Sequence, residues 1–200
     1  MTTERWAIDT AHSSVDFVAR HMMVSKIRGT FTDWSGAIDV NLEDPSLSSV
    51  TATLVVASIN TRDQKRDTHL LSTDFFDAAI YPHVTFISRR VEIEGTHLKV
   101  IGDLTIRGVI KDVALDVEYN GLNLDPWGNK RVHYNARITL NRKDFGLAWN
   151  QVLETGGVLI GENVEIEIQV EALREVVTAK HLPETKPPAA STDTPAPPLG

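Results

Sequence analysis

The chain has 200 residues, a net charge of −7 and 42% apolar residues, which suits one all-β domain with either a single core or a lined cavity. An acidic balance speaks against nucleic acid and anionic membrane surfaces as general partners, because both call for excess Lys and Arg. Cysteine is absent, which rules out disulfides, thiolate metal sites and a cysteine nucleophile. No apolar run approaches the roughly 18 residues of a membrane span, and MTTERWAIDT lacks the basic and apolar regions of a secretory signal, so a cytoplasmic location is expected.

Residues 6–9 read as a first short strand and residues 14–21 as a second, with Val15, Phe17, Ala19 and His21 on one face. Residues 29–42 read as one long strand. Its apolar set changes parity between Phe31 and Trp34, and a bulge at Ser35-Gly36 is the expected cause. A turn at Glu43-Asp44-Pro45-Ser46 precedes a β-branched strand over residues 50–59. The next stretch, residues 60–82, is neither alternating nor a plain turn. Leu70 and Leu71 follow Arg66 and Asp67 at i+4, giving a short helix one apolar and one charged edge, and Asp74 ahead of Phe75 and Phe76 signals a second helical turn.

Beyond Pro82 the alternation is regular. Strands are expected over residues 84–94, 97–106, 113–119, 132–140 and 164–171, with turns at Gly95-Thr96, Arg107-Gly108 and Asp125 to Asn129. From about Val176 the composition shifts: six of the nine prolines follow, and no aromatic residue occurs after Trp149. Residues 1–175 are therefore expected to form the barrel domain and residues 176–200 a disordered Pro-rich tail. About eight strands at hairpin spacing without crossover helices point to a closed antiparallel barrel or a sandwich. Small residues on apolar faces (Ala19, Ala52, Gly102 and Ala136) are what a hollow interior needs, with a filled core as the alternative.

Eight motifs occur in order: W6-x-I-D-x-x-H-S13, G29-T-F-x-x-W-x-G36, S58-I-N-T, R66-D-x-H-L70, D74-F-F-D77, Y81-P, G102-D-L-T-I-R-G108 and N141-R-x-D-F-G146. Each is weak alone. Together they resemble the YceI family of lipocalin-like proteins, over residues 6–172. The resemblance implies an eight-stranded antiparallel barrel with a helical insertion near its mouth, often dimeric, whose apolar pore binds a polyisoprenoid chain such as an isoprenoid quinone or a prenyl precursor. It implies no required cofactor.

The expected lining is Val15, Phe17 and Ala19 from the early strand, Phe86, Leu104, Tyr134, Ala136 and Ile138 from the regular strands, and Phe75, Phe76 and Trp149 near the mouth. For Phe75 and Phe76 the competing reading is that they plug the barrel end as core. A straight barrel about 25 Å long holds roughly five or six isoprene units. No HxH or HExxH arrangement is present, so no metal site is expected. Arg66, Asp67, Arg142 and Asp144 read as ion-pair members that anchor the insertion. The runner-up function is a lipid-acting hydrolase or isomerase with His21 or His69 as base, and the third is a stress-related structural protein with a filled barrel. A homodimer is one expectation, since barrels with apolar mouths often pair.

Overall fold

The computed structural model describes residues 3–22, 24–154 and 156–175, and within these an 11-stranded antiparallel sheet closes on itself. In chain order the first six strands are β1 (Thr3–Ile8), β2 (Ser14–His21), β3 (Ser25–Phe31), β4 (Trp34–Asn41), β5 (Ser49–Val55) and β6 (Ile59–Asn60). After helix α1 (Gln64–Leu71) come β7 (His83–Glu94), β8 (His97–Ile106), β9 (Val109–Leu124), β10 (Lys130–Asn141) and β11 (Ile160–Arg174). The expected tail lies outside the described residues.

The ring runs β1-β4-β5-β7-β8-β9-β10-β11 and back to β1. β11 pairs with β1 through residues 172–174 and with β2 through residues 160–169. β3 pairs with β2 and β6, while β4 pairs with β1 and β5. The barrel thus has eight staves, three of them broken in two: β1 with β2, β3 with β4, and β5 with β6. Most strands run longer than the alternation alone marks, because hairpin partners carry the ladder past the last apolar residue.

Two expectations are corrected here. Residues 29–42 are not one strand bulged at Ser35-Gly36. The chain bends at Thr32-Asp33 and passes from β3 to β4, and Gly36 lies within β4, paired with Ala52. Glycine is needed there for close approach: a Cβ would stand 2.8 Å from both Ile8 Cδ1 and Thr51 O. Gly102 is likewise small for a reason other than a hollow interior. The ladder between β7 and β8 slips between Ser88 and Arg90, and a Cβ at Gly102 would meet Ile87 O at 2.4 Å and Ser88 Cα at 2.6 Å.

α1 starts at Asp63, whose carboxylate accepts hydrogen bonds from the Lys65 and Arg66 N–H groups. Its apolar edge, Leu70 and Leu71, packs with Phe76 on a core of Val15, Phe31, Trp34, Leu54, Val56, Ile59 and Val84. A full burial of each leucine would contribute about 1.5–3 kcal/mol, and these are half-buried. Residues 72–80 continue as turns rather than as a second helix. At the other end of the barrel, Trp6, Ile38, Val132 and Ala172 fill the space between β1, β4, β10 and β11.

Candidate functional site

Between these two packed ends the barrel is hollow. A cavity of about 850 Å³ runs inside it, and its wall includes Val15, Phe17, Ala19, Phe75, Phe76, Phe86, Leu104, Tyr134, Ala136, Ile138 and Trp149. The strand alternation explains the wall: on β10, Tyr134, Ala136, Ile138 and Leu140 all face in, over a rise of roughly 20 Å. Phe17, Ala19, Leu104, Tyr134, Ala136 and Ile138 point inward yet are only half-buried, because the surface left to them fronts on this space. Val15, Phe75 and Phe86 also belong to the packed core. Sequence reasoning had not placed further apolar wall residues such as Ile27 on β3 and Ile166 and Ile168 on β11. The alternation in β11 marks the last two, but nothing in the sequence marks Ile27, whose strand is defined by its partner β2.

The charged wall residues gather toward one end. Arg20 and His21 come from the end of β2, Lys65, Arg66 and His69 from α1, and Arg142 from the turn after β10; Asp16 lies midway along β2. Arg20 and Lys65 are exposed, so the cavity reaches the surface there. His69 holds this end together. Its Nε2 lies 2.8 Å from Asp74 Oδ2, and its ring meets Phe75 and Trp149 edge-on, with centroids 5.0 and 4.6 Å apart. Arg107 donates to the carbonyls of Gly146 and Thr73, tying the β8–β9 turn to the same cluster. Trp149 is in irregular chain, not a turn of helix; the short 3-10 turn ends at Phe145 with Gly146 left-handed at φ 75°.

Of the residues expected to anchor by ion pairs, Arg66 does pair, its guanidinium 3.9 Å from Asp63 Oδ2, while Arg142 anchors through backbone carbonyls instead. Arg142 is 5% exposed and its guanidinium donates to four backbone carbonyls, those of Leu147, Trp149, Ile160 and Gly161. Burial pulls its pKa below the ordinary guanidinium value, with Glu162 opposing the shift. Arg66 donates to Thr61 Oγ1 and Thr61 O, and Asp67 accepts from the Thr61 N–H and hydroxyl, so the insertion is tied to the strand end at Thr61.

A second polar cluster lies at the opposite end. Arg131 bridges Asp9, Asp125 and Glu171, and His12 Nδ1 is 2.9 Å from Asp9 Oδ2. Asp9, His12 and Glu171 come close enough to hold a metal ion, a grouping hidden from the sequence by the distance between His12 and Glu171; both carboxylates are already engaged by Arg131. Burial alone would raise the Asp125 carboxyl. Hydrogen bonds from the Asn129 side chain and N–H, from Arg131 and from the Trp127 N–H outweigh it and hold the pKa at about 2. Beside this cluster, the Trp6 indole N–H is buried and has no hydrogen-bond partner among the described residues; such an unpaired donor costs about 1–3 kcal/mol.

The YceI-like domain model matches residues 6–172. The chain belongs to the YceI-like family. UPF0312 proteins of Staphylococcus aureus strains MSSA476 and N315 are 39% and 40% identical to this YceI-like chain over 167 residues, covering 83% of it and 95% of each relative. Among solved structures, a Campylobacter jejuni YCEI protein is 30% identical with a TM-score of 0.68, covering 78% of this chain and 90% of that one. Burkholderia cenocepacia BcnA gives a TM-score of 0.72 at 23% identity, covering 82% and 98%; it shows the shared fold. So does a polyisoprenoid binding domain from Saccharophagus degradans, with a TM-score of 0.64 at 14% identity, covering 85% and 98%. Among the described residues no helix is long and apolar enough to cross a membrane.

Proposed function

We propose that this YceI-like protein binds a polyisoprenoid-type lipid, an isoprenoid quinone or a prenyl precursor, in the barrel cavity and carries or stores it. The observation behind the proposal is the cavity: about 850 Å³, walled almost wholly by apolar side chains. Its size is that of small-molecule sites. At roughly 30 Å³ per heavy atom it takes about 28 atoms, or five to six isoprene units. A branched apolar chain suits a wall of Phe, Leu, Ile and Val side chains. One solved domain of this fold is described as polyisoprenoid binding, and the shared fold lends support without fixing the ligand.

Burial from water stabilises such a chain by about 0.8 kcal/mol per CH₂-sized group. In a bilayer that contribution is already present, so preference for the protein has to come from shape and from the head group. The eleven wall residues named above are the proposed contacts. The role is binding without catalysis, and pairing of two chains accompanies it.

Native mass spectrometry of the purified full chain, followed by organic extraction, tests this reading. A stoichiometric isoprenoid adduct supports it, and the complex mass reads the oligomeric state. A bare protein that takes up neither a long-chain prenol nor a quinone refutes it.

A further inference from the structure

Resting on the lipid-binding reading, which makes a bilayer the source or destination of the cargo, we propose that the α1 end of the barrel docks on an anionic membrane surface with the cavity mouth facing the lipid.

Two turns form the apolar part of this surface. Between β2 and β3 the chain exposes Met22 and Val24, at 49% and 82%, and between β10 and β11 it exposes Val152, at 78%. The two turns are joined: the Met22 N–H donates to the Leu159 carbonyl, the Leu159 N–H donates to the Gln151 carbonyl, and Val152 bridges to Val158. They border the cavity, because His21, Trp149, Leu159 and Ile160 are wall residues and Ile160 pairs with His21. α1 meets the same rim through His69, whose ring stands edge-on to Trp149. Exposed apolar side chains on joined turns at the opening of an apolar cavity mark a contact surface.

Charge selects the partner. Among the described residues the cavity wall holds Arg20, Lys65, Arg66 and Arg142 against one carboxylate, Asp16, in a chain whose net charge is −7. Arg142 is taken up by backbone carbonyls and Arg66 by Thr61 and Asp63. Arg20 and Lys65 are exposed and form no ion pair among the described residues. Glu154 is the acidic residue of the two turns. The opposite end also exposes an apolar side chain, Trp127, but it does so among carboxylates: Glu43 and Asp44 precede the wall residue Pro45, and Asp9, Asp125 and Glu171 surround Arg131. An anionic bilayer attracts the α1 end and repels the other, while the apolar tips enter the headgroup layer. The acidic balance of the whole chain opposes general adhesion and so leaves docking a single orientation. A prenyl chain then passes between acyl layer and barrel without being wetted.

The test is co-sedimentation of the full chain with vesicles of phosphatidylcholine alone and with about 30% phosphatidylglycerol. Binding should favour the mixed vesicles and weaken with added salt. Arg20→Ala and Lys65→Ala should each lower partitioning about fivefold, and the double variant Val24→Asp/Val152→Asp about tenfold. Neither valine lines the cavity, so the double variant should keep its unfolding midpoint and its uptake of a long-chain prenol from an ethanolic dispersion. A chain that takes up the prenol yet ignores both vesicles overturns the inference and leaves the lipid-binding reading standing. Vesicle binding that survives the double valine change, or that is lost instead in Trp127→Ser, also overturns it. So does a dimer, seen by sedimentation equilibrium without vesicle binding, that the double variant dissociates, since the patch then belongs to a second copy. Vesicle binding lost in the double variant, in a chain that takes up no prenol, supports the docking surface and removes the lipid-binding reading.

Discussion

Ala136→Phe separates a hollow barrel from a filled one. Ala136 lies between Tyr134 and Ile138 on β10, pairs with Val117 and Ile168, and lines the cavity. Six added ring carbons take roughly 180 Å³ at about 30 Å³ per heavy atom, about a fifth of the 850 Å³ present. A ligand that fills the cavity then loses the burial of about one isoprene unit. Five carbons at about 0.8 kcal/mol each give about 4 kcal/mol, close to three decades of affinity for a ligand taken from water. The ring itself enters free space, so the midpoint of thermal unfolding should hold or rise. In a filled core the same change would cost about 1–3 kcal/mol by overpacking, lowering the midpoint by about 2–12 °C for a domain of this size. Fluorescence-monitored uptake of a long-chain prenol and differential scanning fluorimetry on the same samples read both quantities. Unchanged uptake at unchanged stability would refute the placement of Ala136 in the binding wall.

Arg142→Leu leaves four carbonyls without their donor and should destabilise by about 3–5 kcal/mol, as when one member of a buried polar set is removed; urea unfolding checks it, and a loss under 1 kcal/mol would contradict it. Gly102→Ala should be far costlier than Gly29→Ala. The first drives a Cβ into β7 backbone, whereas the second meets chiefly the Phe17 ring at 2.3 Å, which can turn toward the cavity; comparative yields and unfolding midpoints decide. The Asp125 carboxyl, held at about 2 in the folded state against about 3.9 unfolded, contributes stability that is present above pH 4 and lost as pH falls toward 2. Asp125→Asn should therefore flatten the acid limb of the stability profile, and an unchanged limb would count against the bonds to Asn129 and Arg131.

Much of this architecture can be read from residue alternation. Leu98 to Ile106, Val113 to Tyr119, Val132 to Leu140 and Val164 to Val170 each put an apolar residue on every second position, and each became a stave. The parity change between Phe31 and Trp34 marks a corner at Thr32-Asp33 rather than a bulge at Ser35-Gly36, and that corner carries no glycine or proline to signal it. That corner is made by pairing: β3 follows β2 and β6, while β4 follows β1 and β5. The apolar wall was legible for the same reason as the strands. The polar features were not, since a guanidinium that serves four carbonyls and an indole N–H that serves none look alike in sequence to any other Arg or Trp.

The junction of β1 with β11 governs the order in which this fold can assemble. Trp6, Ala7 and Ile8 pair with Arg174, Leu173 and Ala172, so the ring stays open until almost all of β11 has left the ribosome. Until then the inward faces of seven staves are wetted, and closure has to join segments more than 160 positions apart, the kind of contact that slows folding. A hydrophobic chain present during synthesis would cover those faces before the seam forms. Refolding in the presence of a long-chain prenol should accordingly raise the yield of closed barrel, and the cargo would then act as a template for its own container.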